Sequence, residues 1–400
     1  MPPRVPNLRE LFSTEKADAL LVWNHEGSGQ PATKWLSGFT GTWSILLIVH
    51  EKQILRPSKT RGTSFRKGGM KTFLITDGRY DIQSRKEAKG FEIFITSGHV
   101  SALHILGRLI QTQKIQKILF DGSVTPYSAV EDVRKEFPEM IFLSRKRVLQ
   151  ELRLVKEKRE LKLLAKAAKI ACRSFKRLIP LIHVGATEKE IAKQLEDLMV
   201  AEGAEGFAFP TSVVSGKNGA FPHGKPSDKK IRNGELVTID FGVTYKGYVS
   251  DMTRTVAVGE IAPRLLKMYE AVRVAQELGC KKAKAGITGQ EMDAVCRGYL
   301  AKKGYGKYFT HSTGHGIGME VHELPIVAPT PPPSAPPLRK GRRGEEKSGK
   351  GRLPAGSVIT CEPGVYIPNV GGVRIEDALM LTRKGSVNLS EEVTKELLVV

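Results

Sequence analysis

The chain has 400 residues, of which 40% are hydrophobic and 26% charged, a length and balance that suit two soluble globular domains rather than one core. Its longest aliphatic run, Ile45–Val49, is far too short to cross a bilayer, and the first ten residues lack the apolar centre of a signal peptide; a cytoplasmic, non-membrane protein is expected. The formal net charge is +21, but +6 of it falls in residues 51–72 and +5 in 329–352; with no basic motif interleaved with aromatics, nucleic acid is not the expected partner.

Residues 1–150 are expected to form an α/β domain. Short apolar runs at 19–23, 43–49, 72–76, 91–95, 117–120 and 140–143 predict buried strands, and 100–110 has helical spacing. A second domain is expected over 151–400. It opens on a basic helix beginning near Val155, where Leu164, Ala168, Ala171, Phe175 and Leu178 make one apolar stripe. A weak repeat follows. Thr187 with Glu190 and Thr288 with Glu291 each read as a capping box that opens a helix, at an offset of 101 residues. Asp240-Phe241-Gly242 and Glu362-Pro363-Gly364 correspond at an offset of 122. The extra residues nearly match the Pro- and Lys/Arg-rich stretch 328–352, which predicts a disordered inserted loop. Two related halves are therefore expected, each supplying one acidic hairpin. The four cysteines (Cys172, Cys280, Cys296, Cys361) are scattered with no CxxC, which favours free thiols in a reducing compartment.

The hairpins carry the chemistry. A turn centred between Tyr245 and Lys246 places Asp240 opposite Asp251, and a turn centred on Asn369 places Glu362 opposite Glu376. Like charges at opposed strand positions repel, so such pairs call for something positive between them. His315, in Gly314-His315-Gly316, adds a nitrogen donor. Four carboxylates and one imidazole suit a pair of divalent ions better than a single zinc. Any one of these acids alone would read as a solvated surface group.

Taken together, Glu235–Gly242, Tyr248–Thr255, His311–Gly318, Val321–Pro325, Cys361–Tyr366 and Gly372–Asp377 resemble the pita-bread (M24-type) metallopeptidases, closest to the Xaa-Pro aminopeptidase and prolidase branch. The segments Ser37–Gly41 and Leu74–Tyr80 resemble that branch's creatinase-type N-terminal domain, so the likeness covers nearly the whole chain. The stretches around 55–71 and 329–352 depart from the family pattern by being longer. The resemblance implies an α+β pita-bread domain with pseudo-twofold halves. It also implies two divalent ions, manganese or cobalt more than zinc, held by Asp240, Asp251, His315, Glu362 and Glu376.

The implied reaction is hydrolysis of the bond between an N-terminal residue and a following proline. Xaa-Pro dipeptidase activity on the same site is the alternative, and a non-catalytic basic binding protein on this fold is the rival from another class. Glu362 would take the proton of the attacking water and deliver it to the leaving nitrogen. His322 and His223 match positions that contact substrate and the tetrahedral oxyanion. His311 and Arg374 are assigned to the substrate pocket, with Arg374 also able to orient Glu323 or a ligand carboxylate. Short proline-containing peptides are the expected partners, and a homodimer the expected assembly.

Overall fold

A computed structural model describes residues 5–28, 30–51, 69–329 and 351–400. The expected insert therefore lies, apart from its edges, outside the described residues, as does most of the basic segment 51–72. The chain divides into two compact units, Met1–Leu152 and Arg153–Val400.

The first unit is built on a six-stranded mixed sheet. Its order in space is Glu92–Ile95, Met70–Thr76, Ser44–His50, Ala19–Asn24, Lys117–Asp121, Ile141–Arg145. The three central neighbours pair antiparallel and the outer ones parallel. All six expected strands are present. The central ones are apolar almost throughout because they are buried on both faces, as in sheets covered by helices. The expected helix runs Ala102–Thr112, with the Ser101 side chain accepting from the His104 N–H as its N-cap. Sequence reading named no helix at Pro31–Ser37, Asp81–Glu87 or Tyr127–Glu136. The first two are only two turns long, too short to display a period.

The second unit repeats itself. A long helix, Lys158–Leu178 or Pro263–Lys282, precedes a shorter one, Glu188–Ala201 or Gly289–Lys302. Both capping boxes form as expected, with Glu190 reaching back to Thr187 N–H (2.7 Å) and Glu291 to Thr288 N–H (2.6 Å). The apolar stripe of the first helix is fully inside, Phe175 and Leu178 included. Matching backbone bonds bind the loops: Gly185 N–H to Ile231 O and Ile231 N–H to Ala186 O in one half, Gly286 N–H to Leu353 O and Leu353 N–H to Ile287 O in the other. Each half has its own apolar cluster, one around Phe175, Phe241 and Leu195, the other around Tyr269, Cys296 and Ile359.

The second hairpin has the expected register. Gly364 pairs with Arg374 and Cys361 with Asp377, which brackets Glu362 and Glu376 as opposed residues. The first hairpin does not. Tyr245 pairs with Tyr248, so the turn is Lys246-Gly247, both at positive φ (51° and 79°), the two-residue type I′ geometry that matches strand twist. Asp240 therefore faces Thr253 rather than Asp251. Moving the turn centre by one residue slips the pairing by two, an even number. Asp251 consequently stays on the face of Asp240 as its diagonal neighbour.

Thr253 and Glu376 thus occupy equivalent places in the two hairpins, and they meet. Glu376 N–H donates to Thr253 O (3.0 Å), and Thr253 Oγ1 donates to Glu376 Oε2 (2.6 Å). The next residues, Arg254 and Asp377, also pair, Nη2 to Oδ1 at 2.7 Å, with both side chains buried.

Candidate metal centre

Five side chains come together where the hairpins meet. Asp240 lies near the end of Glu235–Phe241, Asp251 just before Met252–Val258, Glu362 just after Val358–Cys361 and Glu376 just before Asp377–Leu381. His315 enters on the short strand Gly314–Gly316. Its glycine neighbours are required by close approach, since a Cβ at Gly314 would lie 2.1 Å from Thr360 O and one at Gly316 2.2 Å from Leu324 O. The His315 N–H donates to Thr360 Oγ1 (3.0 Å), whose hydroxyl donates to Glu362 Oε1 (3.2 Å).

The imidazole is oriented by its backbone. Nδ1 faces Gly316 O at 3.1 Å and so carries the proton, leaving the Nε2 lone pair 3.3 Å from Glu362 Oε1 and 3.6 Å from Asp251 Oδ2. Ligand atoms of Asp251, His315 and Glu376 all lie within 4.8 Å of one another. Asp240 Oδ2 accepts from Arg374 Nη2, while its Oδ1 is buried with no hydrogen-bond partner. A buried carboxylate oxygen left unpaired beside three more acids is what a cation would satisfy. The donor set, hard oxygens with one imidazole, fits divalent ions.

The electrostatics agree. Burial, then Glu376 and Asp240, drive the Asp251 carboxyl well above its usual range. Burial and Glu376 do the same to Glu362, and burial with Asp240 pushes Glu376 up to about 8. Burial lowers His315 to about 4, so it is neutral at pH 7. Without cations these acids retain protons in the folded state that they release on unfolding. Their contribution to stability must then fall as pH rises toward 8, while His311 and His315, held neutral by burial, contribute in the opposite sense up to about pH 6.5. The thermal midpoint of chelator-stripped protein is accordingly expected to drop between about pH 6.5 and pH 8, a fall absent from metal-loaded protein. A flat profile for the stripped protein would contradict the crowding of acids described here.

The remaining candidates surround this nest. The His322 ring lies beside that of His315, tilted at 51° with centroids 4.3 Å apart, and is exposed. His223 is exposed too, and lies close enough to His311 and His322 to bear electrostatically on both. Nδ1 of His311 lies 2.8 Å from Ser312 O and carries its proton, so its Nε2 accepts from Tyr366 O–H at 2.9 Å. Burial lowers His311 to about 4 and pushes Tyr366 up to about 12, so one stays neutral and the other a phenol.

Of the two roles expected for Arg374, the contacts match the orienting of a ligand carboxylate. Arg374 is 5% exposed and its donors are engaged, Nη2 by Asp240, Nη1 by Tyr366 Oη (2.7 Å) and Pro222 O, and Nε by Thr253 Oγ1. Its contact with Asp240 uses one carboxylate oxygen, not two. The alternative partner, Glu323, is instead held by Arg153 and Lys156 in a buried ion cluster. Three contributors were not singled out from the sequence: Thr253, Thr360 and Tyr366. Thr253 and Tyr366 lie inside quoted motifs and Thr360 immediately before one, but nothing in a hydroxyl's sequence context marks it as the support of a neighbouring acid.

Residues 162–383 match the model of metallopeptidase family M24, and residues 4–155 match the creatinase/prolidase N-terminal domain. The chain belongs to metallopeptidase family M24. It is 35% identical over 397 residues to an uncharacterized peptidase, YqhT, of Bacillus subtilis, covering 99% of this chain and 100% of that one. Among solved structures, the Xaa-Pro dipeptidase from Bacillus anthracis is similar with a TM-score of 0.83, 35% identity and 98% of each chain covered. The X-Pro aminopeptidase from Thermotoga maritima is similar with a TM-score of 0.80, 34% identity, and 96% and 98% coverage. The M24 fold is the pita-bread arrangement of two related halves, and here it follows a creatinase-type domain in sequence, as the motifs imply. As an M24 member the protein is a hydrolase that uses divalent metal. No helix among the described residues is long and apolar enough to cross a membrane.

Proposed function

We propose that this M24 enzyme hydrolyses the peptide bond between an N-terminal residue and a following proline, as an Xaa-Pro aminopeptidase. The observation that carries the reading is the convergence of Asp240, Asp251, His315, Glu362 and Glu376, with one Asp240 oxygen buried and unpartnered. Four carboxylates carry the charge that two divalent ions would balance, and their hard oxygens favour manganese or cobalt over zinc. When bound, such ions supply Lewis-acid polarisation of the scissile carbonyl and acidify the attacking water.

The chain's own residues do the rest. Glu362, whose carboxyl is pushed upward by burial and Glu376, is the group to hold the proton of the water and pass it to the departing nitrogen. That delivery matters here because the proline nitrogen is a tertiary amide and leaves poorly unless protonated. His315, kept neutral by burial, serves as a nitrogen ligand. His322 and His223, exposed at the rim, are positioned to donate to the developing oxyanion. His311, neutral and fixed by Tyr366, lines the pocket, and Arg374 holds Asp240 from behind. The four cysteines are unpaired, which accords with a cytoplasmic enzyme, and a homodimer is the proposed assembly.

Dipeptidase action on the same site is the second reading, since solved relatives carry each name. The test is hydrolysis of alanyl-proline against alanyl-prolyl-alanine by protein reconstituted with manganese, cobalt or zinc in turn. The expected result is cleavage of both, with the tripeptide preferred and manganese or cobalt most active. Cleavage of the dipeptide alone would make the enzyme a dipeptidase. Cleavage of neither, with metal bound, would overturn the proline specificity.

A further inference from the structure

Glu188 is fully buried at the start of the helix Glu188–Ala201, yet its carboxylate serves a loop rather than that helix. Oε1 accepts from Ser215 N–H (2.7 Å) and Ser215 Oγ (2.9 Å). Oε2 accepts from Ser227 N–H (3.1 Å) and Ser227 Oγ (2.6 Å). The Asn218 amide reaches both oxygens at 3.2 Å. One oxygen therefore grips where the loop 216–226 begins, the other where it ends, and Asn218 braces the middle. This loop carries His223, and Pro222 O accepts from the Arg374 guanidinium that holds Asp240. Among the described residues, the related half shows no such device. The position equivalent to Glu188 is Gly289, where even a Cβ would lie 2.0 Å from Ile326 O. The carboxylate is thus specific to the half that presents His223.

We propose that Glu188 is a positioning residue for the reaction, closing the 216–226 loop so that His223 is held over the metal nest. The inference rests on the role given to His223 above. A buried carboxylate with this many donors could equally serve only to stabilise the fold, and coupling separates the two. A fold anchor lowers activity by the same factor whatever residue stands at 223, whereas a positioning residue has nothing left to position once His223 is removed.

The experiment is a double-mutant cycle of Glu188→Gln and His223→Ala in the full-length, metal-loaded enzyme, reading kcat and KM for alanyl-proline together with bound metal. The glutamine is nearly isosteric, but its amide nitrogen cannot accept from one loop end, so that end is released. Displacing a contact group by about an ångström costs roughly 10- to 100-fold. Glu188→Gln is expected to lower kcat/KM by about that factor with metal content unchanged, and by less than about twofold in the His223→Ala background. Equal factors in both backgrounds, or full activity of Glu188→Gln, would overturn the proposal while leaving His223 in place. A silent His223→Ala would instead remove the role of His223, and the proposal with it. Should Glu188→Gln fail to fold, Ser227→Ala deletes a single hydroxyl donor from the same clamp and enters the same cycle, with a smaller factor expected and the same coupling required.

Discussion

Replacing Glu362 with Gln is expected to leave a folded protein almost without turnover. The substitution keeps the shape of the side chain and its bond from Thr360 Oγ1, but removes both an anionic ligand and the group that accepts and returns a proton. Loss of a general acid–base residue typically costs about 10²–10⁴-fold in rate, and a weakened cation adds to that. The measurement is kcat on an Xaa-Pro dipeptide with bound metal quantified in the same sample. The amide keeps Oε1, 3.3 Å from His315 Nε2, as an oxygen and leaves that nitrogen free to ligate, so some metal should remain. Activity near that of the wild type with metal confirmed would remove Glu362 from the proton path.

The second large effect separates the two aspartates of the first hairpin. Asp251→Asn and Asp240→Asn should each abolish activity by losing metal, yet their metal-free forms should differ in stability with opposite sign. Asp251 is crowded by Glu376, Asp240 and Glu362, so neutralising it relieves repulsion and the stripped variant should melt higher at pH 8 than stripped wild type. Asp240 is the counter-charge of Arg374, whose guanidinium is nearly inaccessible. Its neutralisation weakens the pairing of a buried cation, a loss of up to about 3–5 kcal/mol for pairs of this kind, and the stripped variant should melt lower. Differential scanning of both stripped variants reads the signs directly. Two upward shifts would mean that Arg374 does not depend on Asp240.

Much of this was legible because the informative signals were local. Capping boxes at Thr187 and Thr288 depend on residues three apart and formed as read. The second hairpin's register followed from its turn, centred on Asn369 with a positive φ of 61°. The first hairpin was misread for an equally local reason: Lys246 is a non-glycine residue in the left-handed region, and its sequence gave no sign that it would accept that conformation rather than Tyr245. The side of the sheet was nevertheless predicted correctly, because a two-residue slip preserves it. Arg374 was legible only as a choice between two roles. Whether a guanidinium meets substrate or supports a ligand depends on Asp240, Tyr366 and Pro222, which come from three separate parts of the chain. No spacing rule encodes that convergence.

The contact between Thr253 and Glu376 means that cations in this nest would act as rivets. The groups proposed as their ligands come from both halves of the second unit, Asp240 and Asp251 from one, His315, Glu362 and Glu376 from the other, while the largest apolar clusters lie mainly within one half each. Occupancy would therefore add to a seam that the buried cluster of Leu164, Tyr248, Val249, Ile317, Val358 and Ala378 also holds, by an amount that grows with the logarithm of free metal concentration. Scarcity of metal would thus act first as a mechanical loosening along Thr253–Glu376 and Arg254–Asp377. The enzyme's activity and the cohesion of its two halves are governed by one and the same concentration.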